Sequence, residues 1–479
     1  MEVMDRMTYS RRRESRQDEK KSISCYARMF IFDKYLRLKD WDDKSSVLLL
    51  YWRGDFYRYE EGYYRLISRE ELEDELISYL KNPDFPNQPW EDVTQSDLNN
   101  ILLHVRHAPG VFVPDWKEMP CWVVPERYRS VREPVFTLRN GLLSLDDLME
   151  GKEDPLQSWT PRWFSTIRLE YDYAPQASCP LWLRFLEEVL EGDRQRIRLL
   201  QMWFGYCLLP MTEQHKFLLA VGEGANGKSV VFEVMGELLG QANVSHVPLE
   251  CFGERFALEA TVGKLANIVS EIGEMDKVAE GRLKEFVAAD RMNLQRKYRD
   301  SVNIRPTARL MLATNTLPRF ADRSQGLWRR MILLPFNYSV PPERQDKLLA
   351  WQICKDELAG VFVWALDGLM SFLRAGAFVE PDICKAALDE YRIDCDPPGQ
   401  FLKENYEASP LGAIGTRELY NHYSLWCQEN GYRALNSRNF GKALKKTFPK
   451  VERGYYGNVN NRVRVYSGIR LIGEESNLP

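Results

Sequence analysis

The residues best suited to chemistry lie together in Gly222-Glu223-Gly224-Ala225-Asn226-Gly227-Lys228-Ser229, followed by Val230. Glycines let a loop turn its backbone N–H groups inward on a phosphate chain, and a helix starting there adds positive potential. A lysine at the end of such a loop reaches the β- and γ-phosphates, and the hydroxyl beside it suits Mg²⁺. On this reading Gly222 through Val230 cradle ATP, Lys228 also serves catalysis, and Ser229 is a ligand of Mg²⁺. Three other sets of residues suit the same reaction. Glu271 closes the apolar run KLANIVSEI (264–272), where its carboxylate can reach Mg²⁺ through water and polarise the attacking water. Glu274, three residues on, is a second candidate for that base. Asn315 follows the run ARLMLAT (308–314), where an amide can orient the water and sense the γ-phosphate. Arg329 and Arg330 precede a further apolar strand. The pair either anchors carboxylates or reaches a neighbouring subunit's ATP as an arginine finger.

The elements that must position these groups are legible around them. Phe217, Leu218 and Leu219 read as a buried strand running into the glycine-rich loop, and Val230 onward reads as the first turns of a helix. The runs before Glu271 and Asn315 read as further strands of one parallel sheet, the first of them expected next to the loop strand. Chemistry in such a sheet gathers at the carboxyl ends of its strands, where all these groups except the arginine pair would sit.

Bulk properties narrow the setting. A chain of 479 residues has length for about three domains, and 44% hydrophobic with 28% charged residues is ordinary globular composition. No apolar run is expected to cross a bilayer, no secretory signal is read, and no membrane partner is expected. The nine cysteines are scattered without a CxxC pair, which fits a reducing, cytoplasmic setting better than a disulfide framework or a zinc site. His104 and His107 lack companions at ligand spacing and read as structural.

Net charge is only −4, yet basic residues cluster. Gly431 to Leu471 carries ten lysines and arginines against the single acid Glu452, as a polyanion-binding module would. The segment RMNLQRKYRDSVNIR (291–305) reads as a β-hairpin turning at Arg299-Asp300-Ser301 and tipped with Arg296, Lys297, Tyr298 and Arg299. Such a tip suits a single strand of nucleic acid; a solvated hairpin is the other reading. The aromatic stretch VLLLYWRGDFYRYEEGYYRLI (47–67) reads as two hairpins, whose rings either pack a small sheet or offer a stacking platform. Two helices broken near Gly192-Asp193 precede the loop strand, as a collar between subunits or as intrachain packing.

Together these segments resemble the phage and plasmid primase-helicases of helicase superfamily 3, a group that includes the poxvirus primase-helicase. The resemblance runs from about Asn140 to Leu471, through NGLLSL, YDYAPQASCPLWLRFLEEVL, GEGANGKS, SEIGE, LKEFVAADRMNLQRKYRD, LATNTLP, GLWRRMILLPF and YSGIRL in family order. It implies an ATP-driven DNA helicase with an AAA+-like core, assembled as a ring, here a homo-hexamer, with an arginine finger acting across the subunit interface. It further implies that Glu271 is the second-strand acid, Asn315 the sensor, Arg329 or Arg330 the finger, and the 291–299 segment the hairpin that tracks along DNA. Many members carry two adjacent acids where this chain has Ser270 before Glu271, so the base stays open between Glu271 and Glu274. The C-terminal hundred residues resemble the family's winged helix: helices over 417–431 and 436–448, a wing at RVRVYSGIRL, and Lys442, Lys445 and Lys446 on or near one helical face toward duplex DNA. No acid cluster resembling a nucleotidyl-transfer site is found, so priming is expected from a separate primase.

The expected organisation is α/β: a flexible basic tail (1–25), an N-terminal α/β region (26–160), a helical neck (161–212), a P-loop, AAA+-like ATPase (213–376) and a winged helix (377–479). The expected function is replication of a phage, plasmid or other mobile element. The alternative is an ATPase initiator or helicase loader that binds an origin without processive unwinding.

Overall fold

Five short apolar runs form the parallel sheet at the centre of this mixed α/β chain: β1 (Phe217–Val221), β2 (Val244–Ser245), β3 (Ala266–Val269), β4 (Arg309–Thr314) and β5 (Met331–Pro335). The computed structural model describes residues 22–37, 46–82, 90–123, 134–210, 212–272, 277–297, 299–318, 320, 325–456 and 462–473. Most of the basic tail, Glu274 and Tyr298 lie outside them. The strands read as almost unbroken apolar text because helices cover both faces of the sheet. Alternation splits them cleanly: Leu218, Ala220, Met311, Ala313, Ile332 and Leu334 enter one core, while Phe217, Leu219, Leu310, Leu312, Met331 and Leu333 enter the other.

The strand order is β2-β3-β4-β1-β5. The run ending near Glu271 is therefore not next to the loop strand. β4 lies between them, with Leu218 paired to Met311 and Met311 in turn to Ile268. Apolarity on both faces specifies burial but not neighbours, so the order could not be read from the runs themselves. Its consequence is functional: the strand carrying Asn315, rather than the one carrying Glu271, flanks the loop.

The helices Pro180–Val189 and Arg194–Cys207 break at Glu191-Gly192, both with positive φ (56° and 70°). Asp193 caps the second helix by accepting from the Gln195 and Arg196 N–H groups. Trp182, Phe185, Leu199 and Trp203 place one face of the pair in the first core of the sheet. Helix Leu358–Ala375 is long and apolar enough to cross a bilayer by composition, contrary to the expectation that no segment would be. Here it crosses Arg194–Cys207 at backbone contact: a Cβ on Gly205 would lie 2.4 Å from the Ala365 carbonyl, and one on Gly368 2.1 Å from that of Gln201. Its apolarity is that of a core helix, with Val361, Phe362, Ala365 and Leu369 fully buried.

At the N-terminal side, strands Leu49–Trp52, Asp55–Glu60 and Tyr63–Ile67 form an antiparallel meander. Its turns, Arg53-Gly54 (φ 48° and 92°) and Glu61-Gly62 (φ 44° and 96°), have the positive φ pairs that tight hairpins require. The rings of Trp52, Tyr57 and Tyr64 meet Phe164 edge to face at 5.2 to 5.9 Å and are buried, so they pack the sheet rather than offer a stacking surface.

The C-terminal part has its own core of Phe401, Tyr423, Phe440, Leu444 and Ile469. It comprises helices Pro397–Asn405, Thr416–Glu429 and Ser437–Thr447 and a three-stranded antiparallel sheet of Tyr406–Gly415, Glu452–Tyr456 and Val463–Leu471. Asn436 caps the third helix by accepting from Asn439 N–H at 2.9 Å.

The basic hairpin forms, but its turn falls earlier than expected. Its strands are Met292–Arg296 and Arg299–Ile304, so Arg299, Asp300 and Ser301 belong to the second strand. The pairs Met292 with Ile304 and Leu294 with Val302 set this register by packing four apolar side chains together, three of them buried and Val302 half-buried.

Candidate active site

The glycine-rich loop leaves β1 at Val221 and ends at Gly227, which caps helix Lys228–Leu239 with φ 84°. Two glycines are needed there for closeness. A Cβ on Gly222 would lie 2.2 Å from the Phe336 carbonyl, and one on Gly227 2.7 Å from Val189 and 2.9 Å from Phe185. Ala225 takes a left-handed φ of 58°, and its carbonyl accepts from Val340 N–H at 2.7 Å. The segment after β5 thus braces the loop on one side and the helix Pro180–Val189 on the other.

Lys228 is 6% exposed. Its ammonium donates to the Gly222 carbonyl (2.5 Å), Asn226 Oδ1 (3.0 Å) and Asn315 Oδ1 (3.2 Å). All three acceptors are neutral, and burial pushes the ammonium below the usual lysine range. The Asn226 side chain is buried and donates to the Glu223 carbonyl at 2.8 Å. Its amide is thus the loop's internal brace, a role beyond the place in the phosphate cradle expected of it. The sequence signal was a lone amide among residues chosen for smallness. Glu223, Gly224, Ala225 and Ser229 face outward, and Val230 is half-buried.

Asn315 leaves the carboxyl end of β4 and meets Lys228 directly, so the structure joins these two expected site residues. Glu271, two residues past β3, stands exposed at the same sheet edge, one strand further out. Arg329 and Arg330 are elsewhere. They precede β5, and the Arg330 carbonyl accepts from Phe217 N–H at 2.8 Å, at the start of β1. The pair therefore lies at the amino edge of the sheet, about 16 Å from the loop at the rise of a five-residue strand. Arg329 is exposed. Arg330 donates to the Gly326 carbonyl at 2.6 Å, its buried Nε has no partner among the described residues, and its pKa is pushed down by burial and then by Arg329.

The cations expected to meet nucleic acid fall into two groups. In the hairpin, Arg296 forms an ion pair with Asp55 of the N-terminal meander at 3.0 Å, with side-chain exposures of 14% and 16%. Lys297 is exposed, and its N–H donates to Glu259 at 3.2 Å. Arg299 pairs with Arg296 through the backbone. In the C-terminal part, Lys442, Lys445 and Lys446 are all exposed on helix Ser437–Thr447. Lys445 donates to the Val451 carbonyl at 2.7 Å and Lys446 lies 4.0 Å from Asp396, whereas Lys442 has no side-chain partner among the described residues.

Residues 220–330 match a family described as a family of unknown function (DUF5906), and residues 398–473 match the RFX DNA-binding domain. Across 277 residues, 51% of this chain, the sequence is 24% identical to a candidate helicase of Acanthamoeba polyphaga mimivirus, covering 28% of that protein. Across 72 residues, 15% of this chain, it is 35% identical to the DNA-binding protein RFX2 of Rattus norvegicus, covering 10% of it. The chain thus spans about a quarter of the length of the first relative and a tenth of the second. Two apo structures of the NrS-1 C-terminal region share the fold, with TM-scores of 0.51 and 0.52 at 11% and 10% identity. They cover 92% and 94% of this chain, and 98% and 100% of the NrS-1 chains. The chain is similar to a candidate viral helicase across half its length, and to the RFX DNA-binding domain over residues 398–473.

Proposed function

We propose that this chain is an Mg²⁺- and ATP-dependent DNA helicase of the superfamily 3 type, working as a homo-hexameric ring in replication of a phage, plasmid or other mobile element. The observation that carries the reading is the meeting of Lys228, Asn226 and Asn315 at the glycine-rich loop. A lysine held, among the described residues, only by neutral oxygens is poised for an anion, and the first free N–H groups of helix Lys228–Leu239 point the same way. The strand order, with β4 between β1 and β3, supports an AAA+-like core. The family match over 398–473 supports a winged helix that grips duplex DNA through Lys442, Lys445 and Lys446.

In this mechanism the loop N–H groups and Lys228 hold the triphosphate, and Asn315 orients the attacking water at its γ-phosphate. Mg²⁺ neutralises phosphate charge when bound. It characteristically takes few protein ligands beside phosphates and water, which the exposed Ser229 hydroxyl and the Glu271 carboxylate fit. Glu271 accepts the water's proton, with Glu274 as the alternative base. Arg329 or Arg330, at the sheet's far edge, serves the ATP of the adjacent subunit, so hydrolysis moves one subunit against the next. The hairpin carries that movement to a DNA strand, and a separate primase supplies primers.

The decisive experiment is ATP-dependent displacement of a labelled strand from forked and tailed duplexes, comparing the intact protein with Lys228→Ala. Unwinding that requires Lys228 is expected. The engagement of Arg296 by Asp55 favours a second reading, an initiator or loader in which DNA switches the ATPase without unwinding. DNA-stimulated hydrolysis with no strand displaced at any salt concentration or tail length would select it.

A further inference from the structure

At the amino edge of the central sheet, opposite the nucleotide loop, lies a cleft of about 580 Å³. Its walls are the N-terminal meander, the basic hairpin from Arg296 at its turn to Arg305 at its root, and the 259–264 segment. That volume is within the usual range for ligand sites. The floor is apolar at Val262, Val302 and Ile304, and the lining carries the cations Arg53, Arg65, Lys264, Arg296 and Arg305 against the acids Asp55, Glu118 and Glu259.

These cations differ in what holds them. Arg53 is bound by Glu118, and Arg65 by Glu60 and Glu71. Lys264 donates to the Ala242 carbonyl and has no acid partner among the described residues, and the exposed Arg305 has none either. Arg296 is the hinge of the arrangement. A register shift between Leu294 and Arg296 breaks the hairpin ladder beside it, and its guanidinium meets Asp55, which follows the Arg53-Gly54 turn. A carboxylate bound by a guanidinium occupies the geometry that a phosphate would take, because both anions present paired oxygens to the same planar donors.

We propose that this cleft is a binding site for a single DNA strand, with Asp55 holding the place of a backbone phosphate on Arg296 until a strand displaces it. Lys264 and Arg305 then take neighbouring phosphates, and an unstacked base enters the apolar floor. The inference rests on the reading of the hairpin as a DNA-contacting element. Displacement is favoured because a strand brings several charges and releases counterions, whereas Asp55 brings one charge.

The test is binding of a fluorescent dT20 strand to the full chain, by anisotropy across a salt series, with photocrosslinking of an iodouracil-substituted strand and ATP hydrolysis followed in parallel. Asp55→Asn removes the competitor and is expected to tighten binding roughly threefold or more. The double variant Lys264→Glu/Arg305→Glu, at unpaired positions, should weaken binding at least tenfold and lower the salt slope by about 1.4, the share of two phosphate contacts on a single strand. Crosslinks should fall within 57–66 and 296–305. Unchanged affinity in both variants, with crosslinks only within 437–473 and hydrolysis still stimulated by DNA, overturns the cleft and leaves the helicase reading standing. Absence of both strand binding and DNA-stimulated hydrolysis removes the two together.

Discussion

Lys228 and Arg296 are both cations largely hidden from solvent at opposite edges of the same sheet, and they differ in what they touch. Three neutral oxygens surround Lys228, while a carboxylate neutralises Arg296. A cation among neutral acceptors has an uncompensated charge, so a phosphate need only exchange with a neutral oxygen on the ammonium and expels no counter-charge. A cation already paired admits an anion only by competition. On the proposed readings the carboxyl edge is thus ready for its ligand and the amino edge is conditional on displacement. Under the proposed function this places the control of a cycle at the DNA side rather than at ATP binding.

The comparison breaks most visibly at the arginine pair. Of Arg329→Ala and Arg330→Ala, the one that removes the finger should lower hydrolysis about a thousandfold with nucleotide binding retained. Mixing that variant with Lys228→Ala should restore part of the rate, since each subunit supplies what the other lacks. Wild-type hydrolysis in both arginine variants would show that the amino edge is no part of an active site. Lys228→Ala itself should lower hydrolysis about a hundredfold to a thousandfold, read by steady-state phosphate release.

The two asparagines should then separate by readout. Asn315→Ala is expected to lower turnover about tenfold with the melting temperature unchanged, because Asn315 is exposed. Asn226→Ala strips the buried brace from the loop and should cost about 1–3 kcal/mol of stability in denaturant titration. The smallest effect is on pH. Burial lowers the Lys228 pKa in the free protein, and bound phosphates would raise it again, so nucleotide binding takes up a proton between the two values. ATP affinity should therefore fall as pH rises through the lowered pKa, before the range where an ordinary lysine titrates. In Lys228→Arg this decline should vanish.

Much of this arrangement is written locally. Three apolar residues running into glycines, then Lys228 and Ser229, state strand, loop and helix within a dozen positions, and the caps at Asp193 and Asn436 follow from their neighbours. What escaped reading depends on distant partners. β4 lies between β1 and β3 because of how crossovers pack, which no single strand records. The hairpin turn moved because Leu294 required Val302 opposite it, a tertiary demand that outweighed the turn-like Arg299-Asp300-Ser301. The Asp55 contact joins positions 241 residues apart, and Asp55 looks like any turn aspartate in sequence. Helix Leu358–Ala375 invites a membrane assignment until Gly205 and Gly368 are seen to admit it into the core.

The separation of cores described above also governs how the molecule should respond to heat. The loop glycine Gly227 abuts Phe185 and Val189, which share one buried cluster with the sheet and helix Leu358–Ala375, whereas Phe401 to Ile469 form a cluster of their own. ATP at a hundred times its dissociation constant adds about 2.7 kcal/mol to whatever unit binds it. In calorimetry the chain should therefore show at least two endotherms, and nucleotide should move one while the C-terminal transition stays where it was.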